Sequence, residues 1–467
     1  MTAQSIPVPL ARACTDIHLA AEADAVGGRQ PSYVAAPAST QEASAVLRAA
    51  AQLGLAVLAR GAGTRLHWGA PPERCDLLVD TRRMDTVLEH AAGDLVARIQ
   101  AGVGLRQLAD VLGAAGQRLA LDPPPAAAAA DGTAGAVGGT AGTDGTVGGL
   151  IATGVAGPLR LRYGAPRDLL IGITVVRADG TVAHSGGKVV KNVAGYDLGK
   201  LYAGSHGTLG LITEAAFRLH PQPKAVAFVT LERANAAAAH AAIGAAVDSP
   251  LGPSAAELDW PGRGAPISAA ILLEGDQDGV AERAARLRAL LGGAEVSADP
   301  PPWWGQSAAA AADGTVIRVA FWAGDLAAVL DLIAAAAAAS GLDPAVSGSG
   351  AAGVLHVGLP GSAAPGAVAG LLTALRTALS RGTVLAVGLA ATASAAAAIG
   401  QVSAGPTARG TAGPTAPGSA TVLHAPPAVR DVADIWGPVP SLALMRAVKD
   451  QFDPEHRMAP GRFVGGI

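Results

Sequence analysis

The sequence predicts an α+β protein built from two domains. Its 467 residues exceed the roughly 100–200 residues of one typical domain, so at least two hydrophobic cores are expected. Apolar strands alternate with amphipathic helices along the chain, and some consecutive strands are separated only by turn residues, as in antiparallel hairpins. Near residue 225 a second series of strands and helices begins.

The first series opens with a strand, a helix and a strand. Residues 33–36 form the first predicted strand, and Ser39 followed by Glu42 predicts a capping box at the start of the helix. Apolar residues at helical spacing mark the buried face of that helix: Ala43, Val46, Leu47 and Ala50. Residues 55–59 are a second apolar strand, so the segment predicts a βαβ unit that ends in the glycine loop RGAGTR.

The remaining elements of the first series are mostly strands. Apolar or alternating patterns predict them at residues 77–80, 86–89, 95–101, 169–176 and 181–184. Gly93-Asp94 and Asp179-Gly180 supply the turns of two hairpins. Residues 105–112 predict a helix that ends near Gly113.

The second series predicts a smaller α+β domain, with a sheet covered by helices on one face. Its predicted strands are residues 226–231, 267–273, 316–322, 354–359 and 383–389. We divide the chain into an N-terminal segment 1–30, a first domain 31–222, a second domain 223–436 and a C-terminal segment 437–467. A helix at residues 442–452 is expected to return to the first domain.

Two segments are of low complexity. Residues 126–145 and 403–419 contain mostly Ala, Gly, Thr, Ser and Pro. Because so few large apolar groups cannot offset the entropy lost on ordering, both are predicted to be mobile loops.

Charge and composition exclude several classes of protein. The net charge of -3 and the pI near 6.4 give no basic surface for nucleic acid, which is therefore not an expected partner. Cys14 and Cys75 form no CxxC pair and the ten histidines form no HExxH, so no metal site is predicted. No apolar run reaches the roughly 20 residues of a membrane span. The N-terminus lacks the pattern of a signal peptide, so a cytoplasmic location is expected.

Three glycine-rich segments are candidates for a ligand site. RGAGTR, residues 60–65, follows a buried strand and can present consecutive backbone amides to an anion. TVGGLIATG, residues 146–154, allows backbone to approach a ligand closely. RGAGTR is neither a Walker loop nor a Rossmann fingerprint, because Leu66 stands where the third glycine would be. Ordinary turns are the alternative for each segment taken alone.

The third segment, GGKVVKNVAGYDLGKL at residues 186–201, concentrates the scarcest polar residues. The chain has only five lysines, and Lys188, Lys191 and Lys200 lie here. Asn192 and Tyr196 belong to the same segment. The clustering makes this segment a candidate functional site, and a surface loop of an alanine-rich protein is the alternative.

Taken in order, these segments carry a family resemblance. RGAGT, TVGGLIATG, RDLLIGITVVRADGTV, GGKVVKNVAGYDLGKLYAGSHGTLGLITEA and FDPEHRMAPGRFVGGI resemble the vanillyl-alcohol-oxidase-type, or PCMH-type, FAD-binding proteins. Within that family the chain is most similar to the FAD-binding subunit of bacterial glycolate oxidase. The resemblance implies a two-subdomain PCMH-type FAD-binding domain at 31–222 and an α+β cap domain at 223–436, its antiparallel sheet covered by helices.

The resemblance also implies the cofactor, FAD, and the residues around it. Residues 60–64 would donate backbone hydrogen bonds to the diphosphate, residues 146–149 and 152–154 would line the diphosphate and ribityl chain, and residues 193–196 with Ile212 would lie along the flavin. The candidate cofactor-binding residues are Arg60, Gly61, Ala62, Gly63, Thr64, Thr146, Val147, Gly148, Gly149, Ala152, Thr153, Gly154, Lys188, Lys191, Val193, Ala194, Gly195, Tyr196 and Ile212. Lys188 or Lys191 is hypothesised to stabilise negative charge on reduced flavin; the alternative is that both are solvated or pair with Asp197.

The chain departs from the family at three positions. Thr64 stands where members that tether FAD covalently place a histidine, so noncovalent FAD is expected. The metal-binding segment of related dehydrogenases is reduced to LHVGLPG, so His356 is expected to be a strand residue rather than a metal ligand. Ala459 replaces a frequent asparagine, which leaves the role of Arg462 open. No catalytic base is assigned.

The function implied by the resemblance is FAD-dependent oxidation of a 2-hydroxy acid such as glycolate, with hydride transfer from substrate to flavin. A second reading is an electron-transfer or scaffold subunit without its own substrate site, working with a second flavoprotein subunit and an iron–sulfur subunit. A third is an interaction protein that binds no FAD.

Overall fold

The computed structural model describes residues 5–125, 145–187, 197–306, 313–380 and 418–467. The chain divides into two compact units. Unit 1 comprises Met1–Gln222 and Pro438–Ile467, and unit 2 comprises Pro223–Gly437. The sequence places these boundaries after residues 222 and 436.

A four-stranded sheet opens unit 1. Its strands are β1 (Ile17–Leu19), β2 (Tyr33–Ala35), β3 (Val57–Arg60) and β4 (Leu77–Asp80). The spatial order is β1-β2-β4-β3, and β4 runs parallel to both β2 and β3. The predicted βαβ crossover is therefore confirmed, with β4 inserted between its two strands. The helices in this part of unit 1 are α1 (Val8–Ala13) and α2 (Thr40–Gln52).

Helix α2 begins where the capping residues predict. The Ser39 hydroxyl accepts a hydrogen bond from the Glu42 amide at 3.1 Å. The Glu42 carboxylate, however, accepts from the Ala38 amide at 3.0 Å, so the reciprocal bond falls one residue earlier than a capping box requires. The predicted apolar face is buried in the core that α2 shares with β3 and β4.

A five-stranded antiparallel sheet forms the second half of unit 1. The strands and helices of this region are β5 (Val87–Ala91), β6 (Val96–Gln100), α3 (Leu105–Gly113), β7 (Gln117–Arg118), α4 (Val147–Thr153), α5 (Arg160–Tyr163), α6 (Pro166–Leu169), β8 (Leu170–Val176), β9 (Val182–Gly186), α7 (Gly199–Tyr202), β10 (Leu211–Arg218) and β11 (His220–Pro221). The sheet order is β5-β6-β10-β8-β9, and β7 pairs with β11. Both predicted hairpins, β5-β6 and β8-β9, are confirmed.

Unit 2 is built on an eight-stranded antiparallel sheet, as the predicted α+β fold class requires. Its elements are β12 (Ala225–Arg233), α8 (Ala236–Val247), β13 (Ala255–Trp260), β14 (Ile267–Gly275), α9 (Gln277–Leu291), β15 (Glu295–Ser297), β16 (Thr315–Ala320), α10 (Leu326–Ala339), β17 (Ala345–Ser349), β18 (Val354–Leu359), α11 (Pro365–Ser380), β19 (Ser419–His424) and α12 (Pro427–Arg430). The order is β15-β12-β14-β13-β17-β18-β16-β19.

Some sequence predictions for unit 2 need correction. Strands β13, β15, β17 and β19 are not in the predicted set. Ser419 was expected to end a loop but begins β19. The predicted strand 383–389 and residues 126–144 and 403–417 of the two predicted loops lie outside the described residues.

The C-terminal segment returns to β3 through α13 (Leu442–Phe452), with the predicted bounds. The Val57 amide donates to the Arg457 carbonyl at 2.7 Å, and the Ala459 amide donates to the Val57 carbonyl at 2.8 Å. The Lys449 ammonium group, with its side chain 1% exposed, holds this arrangement from within. Its Nζ donates to Asp453 Oδ2 at 2.7 Å and to two carbonyls, those of Thr208 at 2.7 Å and Met458 at 2.8 Å.

We predict that Lys449→Met lowers the free energy of unfolding by about 3–5 kcal/mol, because it leaves the buried Asp453 carboxylate without its cation. Chemical denaturation measures the change. Lys200→Met is the matched control, since Lys200 pairs with Asp197 at an exposed site and should cost less than about 1 kcal/mol. Equal stability of the two variants would contradict this role of Lys449.

Candidate functional site

The first glycine loop leaves β3 with its backbone amides unused. Within the described chain, no hydrogen bond is donated by the amides of Gly61, Ala62, Gly63 and Thr64, and all four residues are partly accessible. Gly63 has a left-handed φ of 78°, which a glycine adopts without strain. A run of open amides of this kind can bind an anion.

The side chain of Arg60 is committed to the protein. Its guanidinium contacts Asp24 Oδ1 at 2.8 Å and Asp80 Oδ2 at 3.0 Å, and Arg82 also contacts Asp80 at 2.7 Å. Burial alone would raise the pKa of Asp80, but the hydrogen bonds from Arg82 and Arg60 outweigh it and lower that pKa. Arg60 therefore fixes the end of β3, and its side chain is not left for a ligand.

The second glycine loop touches the first at Gly61. A Cβ atom on Gly61 would collide with Thr146 Oγ1, so only glycine allows the two segments to lie this close. Thr146 is the N-terminal cap of α4, and its Oγ1 accepts from the Gly149 amide at 3.3 Å. The structure thus brings together two segments that the sequence separates by more than eighty residues.

The amides of the second loop, unlike those of the first, are already used. The Val147 amide donates to the Val103 carbonyl at 3.0 Å, and the Gly148 amide donates to the Ala101 carbonyl at 2.7 Å. A Cβ on Gly148 would lie 2.9 Å from that of Ala101. This loop can therefore shape a ligand site by close approach, while its first amides hold α4 on the segment that follows β6.

The residues that follow the third glycine segment are bonded to the end of α4. The Gly204 amide donates to the Ile151 carbonyl at 2.9 Å, and the His206 amide donates to the Ala152 carbonyl at 2.9 Å. Gly154 ends the helix with a left-handed φ of 63°. The Thr153 hydroxyl donates to the Gly149 carbonyl at 2.7 Å, within the helix.

Of the candidates assigned to the flavin ring, the structure describes Ile212. Ile212 lies on β10, 6% exposed, and packs in the core of the five-stranded sheet. Lys188, Lys191, Val193, Ala194, Gly195 and Tyr196 lie outside the described residues. Asp197 is the alternative partner predicted for Lys188 and Lys191. Its Oδ2 lies 3.4 Å from Lys200 Nζ.

Sequence reasoning missed how the first loop is held. Arg462 is 5% exposed, and its guanidinium donates to the carbonyls of Leu66 at 2.9 Å and Trp68 at 2.8 Å. Arg65 donates to the Pro124 carbonyl at 2.6 Å and lies over the Trp68 ring at 5.5 Å. The sequence left the role of Arg462 open because Ala459, three residues earlier, departs from the family pattern. Ala459 has a φ of 45°, a left-handed conformation that asparagine tolerates better than alanine.

Unit 2 places four polar residues in one row across its sheet. Register pairs Arg318 with His356, His356 with Ser347, and Ser347 with Asp259, so all four lie on the same face. The alternating residues, Ile317 among them, are buried on the opposite face. The sequence could not reveal this row, because it depends on pairing between strands that are far apart in the chain.

Two members of the row have polar groups available to a ligand. Arg318 is exposed, and neither Arg318 nor Asp259 hydrogen-bonds any residue in the part of the chain described. The Ser347 hydroxyl donates to the Gln306 carbonyl at 3.2 Å. His356 lies in β18, a strand predicted with the same bounds. Among the described residues, no group of three His, Cys, Asp or Glu side chains could hold a metal ion.

The geometry of unit 1 defines a class of protein. Open amides after a strand, closed by a second glycine segment, suit the diphosphate of a dinucleotide. Residues 31–143 and 125–186 match the family model described as "FAD binding domain". The chain therefore carries a PCMH-type FAD-binding domain, and the predicted resemblance and cofactor are confirmed to this extent.

Two relatives are similar over part of their length. D-lactate dehydrogenase of Archaeoglobus fulgidus is 38% identical over 206 residues, 43% of this chain and 42% of the relative. Glycolate oxidase subunit GlcD of Bacillus subtilis is 31% identical over 266 residues, 55% of this chain and 53% of the relative. The chain thus spans about half the length of the curated relatives it matches.

Solved structures support the fold class over nearly the whole chain. An alkyldihydroxyacetonephosphate synthase superposes with a TM-score of 0.61 at 16% identity, covering 93% of this chain and 77% of that one. Chitooligosaccharide oxidase superposes with a TM-score of 0.56 at 15% identity, covering 91% and 90%. No helix in the described ranges is long and apolar enough to cross a membrane.

His206 gives this region a pH dependence. Burial lowers the pKa of His206 to about 4, with Arg462 a second cause. Because an unfolded histidine has a pKa near 6.5, the folded state binds fewer protons between these values. The stability contributed by neutral His206 is therefore full above about pH 6.5 and is lost as the pH falls through about 4.

We predict that His206→Asn weakens the loss of stability between about pH 6.5 and 4, measured as the free energy of unfolding at several pH values. Asparagine tolerates the left-handed φ of 53° at this position. His456→Asn is the control, since exposed His456 has a similar φ of 51°. Unchanged pH dependence in His206→Asn would refute the assignment.

Proposed function

We propose that this chain is an FAD-dependent oxidoreductase that acts on a 2-hydroxy acid such as glycolate or D-lactate. The observation that carries the proposal is the run of open amides at residues 61–64, packed against Thr146 in a domain of the FAD-binding family. The names of the relatives, D-lactate dehydrogenase and a glycolate oxidase subunit, support the substrate class. Bound FAD would supply the acceptor for a hydride.

The chain's own residues would hold the cofactor without a covalent bond. The amides of residues 61–64 would bind the diphosphate, and Thr146 with residues 147–149 and 152–154 would shape the path beside it. Arg60 and Arg462 would position the first loop through their side chains. A role for Ile212 would have to use its backbone, since its side chain is in the core. Lys188 or Lys191 as stabiliser of reduced flavin stays a prediction.

Arg318 is the residue proposed to anchor the substrate. It offers an exposed guanidinium without a protein partner among the described residues, and a 2-hydroxy acid offers a carboxylate that matches this fork in shape and charge. His356 beside it adds a second polar group. The cofactor loops belong to unit 1 and Arg318 to unit 2.

A second candidate function is that of an electron-transfer or scaffold subunit. The chain would bind FAD while a second flavoprotein subunit and an iron–sulfur subunit complete the enzyme. Two observations favour it: the similarity to one subunit of glycolate oxidase, and the absence of a metal-binding cluster among the described residues.

We predict that Gly61→Ala weakens FAD binding about ten- to hundredfold, because an overpacked contact costs about 1–3 kcal/mol. Titration of the FAD-free protein, followed by flavin fluorescence, measures the affinity. Gly93→Ala is the control, because its Cβ meets no atom within 4 Å. FAD should be released from the wild-type protein on denaturation. Failure of the folded wild-type protein to bind FAD would refute the proposal.

We predict that D-lactate or glycolate bleaches the flavin of the isolated chain without oxygen. Arg318→Met should raise the substrate concentration needed by about ten- to hundredfold, because a charge-assisted hydrogen bond contributes about 1.5–3 kcal/mol. Arg286→Met, at an exposed arginine on α9 paired with Glu282, should have no effect. Bleaching only after partner subunits are added would favour the second candidate.

A further inference from the structure

Arg65 is a cation without a counterion, and it directly follows the open amides of the first glycine loop. In the part of the chain that the structure describes, no carboxylate lies within ion-pair distance of its guanidinium. Burial lowers the pKa of Arg65 to about 10, and no described acidic group opposes that shift. The group is still protonated at neutral pH, so the folded protein keeps an uncompensated positive charge beside the loop.

The guanidinium is held in place but most of its donors are unused. Its Nη2 donates to the Pro124 carbonyl at 2.6 Å, and its Cζ lies 5.5 Å from the centroid of the Trp68 ring. Among the described residues this is the one hydrogen bond that the Arg65 side chain makes, although a guanidinium has five N–H donors. Because Arg65 is partly accessible, the other donors can meet oxygen atoms of a ligand.

Arg65 lies where the first and second glycine loops meet. A Cβ atom on Gly145 would lie 3.3 Å from Arg65 Nη1 and 3.4 Å from Thr64 Oγ1. Gly145 has a left-handed φ of 83° and directly precedes Thr146, the cap of α4. The guanidinium is therefore close to both backbone segments that would hold the cofactor in the proposed function.

We propose that Arg65 binds the diphosphate of FAD and supplies the full positive charge that the amides of residues 61–64 lack. The inference rests on the proposed function, because FAD is its ligand, and it adds a residue to that site. A backbone amide carries only a partial positive charge, whereas the diphosphate of FAD is dianionic. Charge-assisted hydrogen bonds from arginine to phosphate are stronger than those between neutral groups. The bound diphosphate thus becomes the counterion of Arg65.

The contact with Pro124 allows a different role, in which Arg65 only holds the chain beside the loop. That role needs a hydrogen-bond donor but no charge, because the acceptor is a neutral carbonyl. Substitution separates the two roles. Arg65→Gln keeps an N–H donor and removes the charge, whereas Arg65→Lys keeps both.

The test titrates the full-length, FAD-free chain with oxidised FAD at several salt concentrations, followed by flavin fluorescence. We expect Arg65→Gln to weaken binding about ten- to hundredfold and to flatten the decline of affinity with salt. Since the oxidised flavin ring is neutral, this salt dependence reports on the diphosphate. Arg65→Lys should bind FAD more nearly as the wild-type chain does. Arg74→Gln is the control, since exposed Arg74 pairs with Asp76 and should not affect binding.

Several results would overturn the inference while leaving the proposed function intact. They are wild-type FAD affinity in Arg65→Gln, equal losses in the glutamine and lysine variants, and an FAD affinity of the wild-type chain that does not change with salt. The last of these needs no variant to fold. A lower flavin midpoint potential in Arg65→Gln, with FAD affinity unchanged, would place the charge at the reduced flavin instead. Failure of the wild-type chain to bind FAD would refute both proposals.

Discussion

A buried ion pair near the C-terminus supports the first glycine loop. Lys449 bonds to Asp453, and the same carboxylate accepts the amides of Arg457 at 3.1 Å and Met458 at 2.7 Å. These bonds set the turn that places Met458 beside Val57 on β3. Arg462 follows four residues later and holds the carbonyls after the loop. The open amides of residues 61–64 are thus positioned by a segment that lies at the other end of the chain.

The two glycine loops would contribute to an anion site in different ways. Unbonded amides are costly when buried, because each loses its hydrogen bonds to water. Residues 61–64 avoid that cost by staying partly accessible, and an anion would satisfy them. Val147 and Gly148, at the start of a helix, use their amides on carbonyls of the chain. The start of the second loop is consequently bonded to the chain behind it. The first loop can lie against it because Gly61 has no side chain.

The sequence predicted elements whose pattern is local. Helix α13 and strand β18 have the predicted bounds, since amphipathic spacing and a mostly apolar segment are visible within a few residues. Strands β13 and β17 were missed for a physical reason: AAELDW carries two acids and AVSGS is small and polar, so neither resembles a buried strand. Their polar residues share one face of the sheet, which only the strand register reveals.

For the candidate functional site, too, the sequence predicted local motifs but not the contacts between them. Glycine motifs and order along the chain were enough to find the loops at 60–64 and 146–154, because glycine is required wherever backbones approach closely. The contact between them, the commitment of the Arg60 side chain and the used amides of Val147 and Gly148 are tertiary facts. A motif names the residues of a loop, but the hydrogen bonds around the loop decide which of its atoms remain for a ligand.

The arrangement of the acceptors explains why Lys449 is a lysine while Arg60 and Arg462 are arginines. An ammonium group has three donors directed away from a single stem, and Lys449 meets three oxygen acceptors in a closed space. A planar guanidinium would be too wide for that arrangement, whereas it suits Arg462, which bonds two successive carbonyls, and Arg60, which bridges two carboxylates. The buried Lys449 therefore occupies a position whose three acceptors match an ammonium group better than a guanidinium.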